Sequence, residues 1–86
     1  MILTTSNELR WETLTQGTRR AQFDTVQIDV FAVATSPNTS AWRYALSNIQ
    51  NNYRYFLDCG QEKTEEEAKQ MAVLKARKLV HPILEE

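Results

Sequence analysis

The sequence predicts an α+β fold in which an antiparallel β-meander of three to four strands carries one C-terminal helix on one face. Three observations predict it. Alternating or β-branched runs fill residues 9–59, turn signals separate them at short intervals, and after Thr64 the apolar period changes from about 2 to about 3.6. All 86 residues are assigned to one domain, because a chain of this length holds a single core and no Pro/Gly/Ser-rich linker divides it.

The first strand is expected at Leu9 to Thr15, where Leu9, Trp11 and Thr13 alternate with Arg10, Glu12 and Leu14; Gly17 then supplies a turn that holds Arg19-Arg20. The strongest strand is expected from Phe23 to Ala34. There Val26, Ile28 and Val30 share one face, and Gln27, Asp29, Phe31 and Val33 share the other. Ser36-Pro37-Asn38-Thr39 reads as a loop, and the third strand begins near Ala41.

Asn51-Asn52 joins the last two strands, since Asn tolerates the positive φ that a two-residue hairpin turn demands. The implied register sets Leu46 against Leu57, Tyr44 against Cys59 and Asn48 against Tyr55. Trp42, Tyr44, Leu46, Tyr55 and Leu57 then share one face, and Arg43, Ala45, Ser47, Arg54, Phe56 and Asp58 the other.

After Gly60, Thr64-Glu65-Glu66-Glu67 is a capping box, acids lead the helix, and Lys75, Arg77 and Lys78 follow, the order that suits its dipole. Ala68, Ala72, Ala76, Leu79, Val80 and Ile83 fall on one arc, and Pro82 ends the helix near His81. The alanines let the helix lie close to a sheet face built from Trp11, Ile28, Val30, Trp42, Tyr44 and Leu57. The other face stays open.

Ten basic residues against eleven acidic ones give a net charge of −1, so no global basic excess announces a nucleic-acid domain. The first residues, MILTTSNELRW, lack a basic n-region and an apolar core, and a single cysteine cannot form an internal disulfide, so a cytoplasmic location is expected. Cofactors and metals are not expected: Cys59 and His81 are the only thiol and imidazole, and two glycines cannot build a phosphate loop. With Cys59 expected to face the core, enzymatic activity is not expected either.

Trp42-Arg43-Tyr44 and Tyr53-Arg54-Tyr55 repeat an aromatic-Arg-aromatic pattern found in single-strand nucleic-acid binders. Strand alternation separates ring from guanidinium in each triplet, so the rings go to the core. Arg43 and Arg54 go to the open face, on the order of 20 Å apart. Exposed Phe beside Arg is an interface composition, and the open face is expected to combine Phe31 and Phe56 with Arg10, Arg43 and Arg54. On the helix, Leu74 is expected to be exposed beside Met71 as a second contact.

The segment "WRYAL…YRYFLDCG…TEEEAKQMAVLKARKLV" resembles the strand-strand-helix half of the arm-type DNA-binding domains of tyrosine recombinases and of double-stranded RNA-binding domains, and also short bacterial proteins of unknown function. It covers about half the chain on a generic capping box, and the basic helix start of the RNA-binding domains is missing. The resemblance implies an accessory or regulatory module and carries over no functional residues. The expected function is a protein-interaction module that binds a protein partner or a second copy of itself. The alternative is nucleic-acid binding through Arg10, Arg19, Arg20, Arg43 and Arg54. Neither a membrane nor a small-molecule substrate is expected.

Overall fold

The structure, a computed structural model, describes residues 9–80. It is an antiparallel five-stranded sheet in the order β1-β2-β3-β4-β5, with one helix packed on one face. The strands are β1 (Glu12–Thr13), β2 (Arg19–Phe23), β3 (Val26–Ser36), β4 (Thr39–Gln50) and β5 (Tyr53–Glu62), followed by α1 (Glu65–Val80). The expected α+β meander is therefore present with one strand more than the sequence suggested.

The additional strand comes from the region read as a basic turn and the start of the long strand. Asp24 takes a left-handed backbone (φ 56°), which short polar side chains tolerate, and reverses the chain so that Phe23 pairs with Val26 and Arg19 with Val30. The first strand, in contrast, shrinks to two residues. Gly17 (φ 95°) closes the β1–β2 turn, where its N–H donates to the Leu14 carbonyl at 2.9 Å.

Asn51 (φ 53°) and Asn52 (φ 69°) form the two-residue turn between β4 and β5, as their tolerance of positive φ predicts. The register holds from the turn to Asn48↔Tyr55 and Ser47↔Phe56, then a β-bulge at Leu57 shifts it, so that Leu46 opposes Asp58 and Tyr44 opposes Gly60. Period 2 alternation cannot reveal an inserted residue. Beyond the bulge every expected face on β5 is reversed: Asp58 lies on the helix side, and Cys59 lies on the open side, exposed, not in the core. Gly60 is required where it sits, since a Cβ there would overlap the Tyr44 ring, 2.7 Å from Cε2.

The core forms where α1 crosses β3, β4 and β5. Val26, Ile28, Val30, Tyr44 and Leu46 meet Ala68, Ala72, Val73 and Ala76, with Trp11, Trp42, Phe23 and Met71 packed around them. Thr64 caps the helix: its Oγ accepts the Glu67 N–H at 3.1 Å, while its hydroxyl donates to the Glu67 carboxylate. The buried stripe runs through Val73 toward Val80, so Leu79, expected in the arc, is 44% exposed. Leu57, expected in the core, is also partly exposed. The expectations for Pro82, His81 and Ile83 lie outside the described residues. No helix among them is long and apolar enough to cross a membrane.

Candidate interaction surface on the open sheet face

The open face follows from alternation. Directly behind the apolar row of β3 come Gln27, Asp29, Phe31 and Val33; behind that of β4 come Ala41, Arg43, Ala45 and Ser47; β5 adds Arg54, Phe56 and Cys59. Its centre is Asp29, a carboxylate in the middle of the strand richest in β-branched residues, and only 9% exposed. A buried charge must be paired. Asp29 Oδ1 accepts from Arg20 Nε at 2.7 Å, and Oδ2 accepts from Arg54 Nη2 at 3.1 Å and from Gln27 Nε2 at 3.3 Å.

The two arginines reach Asp29 by different routes. Arg20 is its direct cross-strand neighbour on β2. Arg54 is two strands away on β5 and crosses β4 at Ala45 and Ser47, whose small side chains leave a shallow hollow of about 140 Å³ lined also by Phe56. The polar cluster therefore spans β2 to β5 and fastens a face that no helix covers. Arg43 lies opposite Phe31 on β3 and donates from Nε to Gln61 Oε1 at 3.0 Å.

Arg54 opposes Ile49, six residues along β4 from Arg43, about 20 Å at 3.3 Å per residue. The structure thus keeps the two arginines apart, as the hairpin register implied. Phe56 is 68% exposed, whereas Phe31 is half-buried. Arg10 is exposed at the opposite margin, where it lines a polar cleft with Glu12, Arg20, Gln22 and Gln27.

Other expected site residues do not join this face. Arg19 and Arg20 are consecutive in a strand and so point to opposite sides; Arg19 lies on the helix side, 3.2 Å from Glu65 and over the Trp42 ring, 5.3 Å from its centroid. Met71 packs against the core, and Leu74 is half-buried, so the expected exposed pair on α1 is corrected. The apolar residue that α1 exposes is Leu79.

Of the exposed apolar residues on the hairpin, alternation points to Phe56 alone. Ile49, Tyr53, Tyr55, Phe56 and Leu57 are large hydrophobic residues left exposed, and they lie within nine residues of one another around the Asn51-Asn52 turn. Alternation assigns Tyr53 and Tyr55 to the core. They do face the helix side, but beyond the reach of its buried stripe. Beside Tyr55, the buried Asn48 Oδ1 has no hydrogen-bond partner among the described residues.

Electrostatics on the helix side are local. Hydrogen bonding from Lys69, 2.9 Å away, holds the Glu65 carboxyl below its usual range, aided by the charges of Lys69 and Arg19 and opposed by partial burial. Hydrogen bonding to Tyr44 raises Lys75 above its ordinary value, opposed by partial burial and aided by the Asp58 carboxylate 3.6 Å away. Among the described residues no group of three or more His, Cys, Asp or Glu side chains converges on one point. No protein-family model matches this chain, and no curated protein or solved structure shows significant similarity to it.

Proposed function

We propose that this protein is a non-enzymatic interaction module that binds a protein partner through the β4–β5 hairpin and the adjoining open face. One observation carries the reading: five of the six exposed large hydrophobic residues among those described cluster on that hairpin. Scattered exposed hydrophobics are ordinary, but their concentration at one end of the sheet, on both of its sides and rimmed by polar side chains, supports an interaction site there. Phe56 and Phe31 with Arg54 and Arg43 supply the aromatic and arginine composition typical of such sites.

The same geometry weighs against phosphate recognition as the main role. Arg20 and Arg54 are held on Asp29, and Arg43 on Gln61, so binding a phosphate would first have to break internal pairs. A cytoplasmic location belongs to this proposal, since the exposed Cys59 thiol suits a reducing compartment.

The test is affinity capture from source-cell lysate in nuclease-treated and untreated halves, with the Phe31→Ser/Phe56→Ser double variant as control. A partner that survives nuclease and is lost with the double variant is the expected result. Capture that disappears with nuclease and falls steeply with salt would overturn the reading in favour of nucleic acid.

A further inference from the structure

The sheet has two edges, and they are finished differently. At one edge β1 offers only Glu12 and Thr13, too short to template another strand. At the other, β5 runs for ten residues paired with β4 on one side and with no described strand on its outer side.

Which of its backbone groups face outward follows from the turn. A two-residue hairpin turn closes on a hydrogen-bonded pair, here Gln50 and Tyr53, so Tyr53 and then Tyr55 direct their N–H and C=O groups to β4. Alternation points those of Arg54 and Phe56 out of the sheet. Past the bulge the phase changes and Cys59 is the next to face outward, but its N–H is already taken by Asp58 Oδ1 at 2.8 Å. The bulge and Asp58 thus blunt the second half of the edge, as protected edges are blunted in general. The half from Tyr53 to Leu57 is left open, and it is the half that carries exposed Tyr53, Tyr55, Phe56 and Leu57.

We propose that the Tyr53–Leu57 half of the β5 edge pairs antiparallel with the same half of a second copy of this chain, about a two-fold axis at Tyr55. The proposal rests on the hairpin being the interaction surface and names its occupant. The outward groups of Arg54 then bond those of Phe56 of the second copy, and the reverse, giving two hydrogen-bonded pairs that flank a non-hydrogen-bonded Tyr55 pair. Side chains in register point the same way, so the aliphatic stem of each Arg54, whose guanidinium stays on Asp29, lies beside a Phe56 ring on the open face. Tyr53 falls beside Leu57 of the second copy.

Charge permits the approach. Arg54 is the one charged residue between positions 53 and 57, and each Arg54 keeps Asp29 as its counter-ion, so the two arginines do not meet uncompensated. The association also closes, because the far edge at β1 is too short to accept a third copy. The exposed parts of these side chains and the edge backbone amount to about 500 Å² per chain if an aromatic side chain buries roughly 200 Å². Doubled, that reaches only the lower end of specific interfaces, so the dimer is weak and reversible.

Sedimentation velocity of the full chain over a wide concentration range tests this. The expected result is a monomer–dimer equilibrium with a dissociation constant on the order of 10–100 µM. Tyr55→Lys sets two ammonium groups face to face on the axis and should weaken association at least about tenfold, with the circular dichroism and melting of the dilute monomer unchanged.

Position is read by oxidation. Tyr55→Cys in a Cys59→Ser background should form a disulfide dimer, because a non-hydrogen-bonded antiparallel pair sets its Cα atoms about 4.5 Å apart. Tyr53→Cys in the same background should not. A chain that stays monomeric at every concentration overturns the proposal and leaves the edge to a foreign strand; a dimer indifferent to Tyr55→Lys, or one cross-linked at 53 instead of 55, overturns it as well. If the chain is monomeric while Phe31→Ser/Phe56→Ser still releases a captured partner, the pairing fails and the interaction reading stands. If the dimer forms and capture ignores those two residues, the reverse holds.

Discussion

On the helix side of the sheet, Ile28, Val30, Tyr44 and Leu46 are sealed beneath Ala68, Ala72, Val73 and Ala76; one residue away in sequence, on the opposite side, Asp29 is nearly as buried but lies among arginines. The first side is held by apolar area removed from water and by close packing, for which small helix residues permit a short helix-to-sheet distance. The second is held by a carboxylate whose three donors come from three strands or positions along them. A sheet with one helix leaves one face without cover, and a polar cluster can fasten that face without making it adhesive. At the hairpin end neither device covers the apolar side chains: the helix stripe has passed, only Arg54 is tied to Asp29, and Ile49, Tyr53, Tyr55 and Phe56 stay exposed.

The largest expected contrast is between truncations on the two sides. Leu46→Ala, at a fully buried position, should cost about 3 kcal/mol of unfolding free energy, the transfer of the lost methyl groups plus the cavity they leave. Phe56→Ser, removing a larger side chain from an exposed position, should change stability by less than about 0.5 kcal/mol. Urea unfolding of both variants measures the difference, and comparable losses would mean that Phe56 is covered in solution.

Gly60→Ala tests how tightly the helix side is fitted. The added methyl has no room beside Tyr44, itself 2% exposed, so either the ring or the β5 backbone must move, at a cost of about 2–3 kcal/mol. A fully tolerated alanine would show that Tyr44 is looser than its burial indicates.

Asp29→Ala breaks the comparison from the other side. It removes the acceptor shared by Arg20, Arg54 and Gln27, and should cost about 1–2 kcal/mol because two of those partners are substantially exposed to solvent. It also frees two guanidinium groups. If the internal pairs are what suppress phosphate recognition, the variant should bind single-stranded nucleic acid more tightly than the parent, with a steeper salt dependence; unchanged binding would show that Asp29 does not restrain them.

These sites also show what the sequence could reveal. The helix, its Thr64 cap, the Asn51-Asn52 turn and the faces of β3 were legible because each rests on local spacing or on the conformational tolerance of one residue type. The β2–β3 turn was not, since Asp24-Thr25 lacks glycine and proline and falls inside the stretch from Phe23 to Ala34 that reads as one strand. The bulge at Leu57 was invisible for a different reason: an unpaired residue has no period, yet it moved Asp58 and Cys59 to the opposite sides of the sheet. Asp29 did leave a signal, a charge inside the strand least suited to one, and reading it as merely the polar member of an alternation missed the centre of the open face.

The smallest expected effect concerns acid, and it belongs to the margin of the helix side. Glu65 accepts from Lys69 at 2.9 Å and from Arg19 at 3.2 Å, and its carboxyl is held below its ordinary 4.5. In the pH interval between the folded value and 4.5 the unfolded chain binds more protons at this site than the folded one, so stability rises with pH there. The contribution is complete above that ordinary value and disappears as pH falls through the lower, folded one. Both carboxylate and ammonium are partly solvated, which limits the effect to under about 1 kcal/mol. Glu65→Gln should therefore destabilise the protein slightly near neutrality and lose less than the parent on acidification, bringing the two urea midpoints together at low pH. Midpoints that keep a constant separation would assign the Glu65 contribution to helix packing or capping and not to its charge.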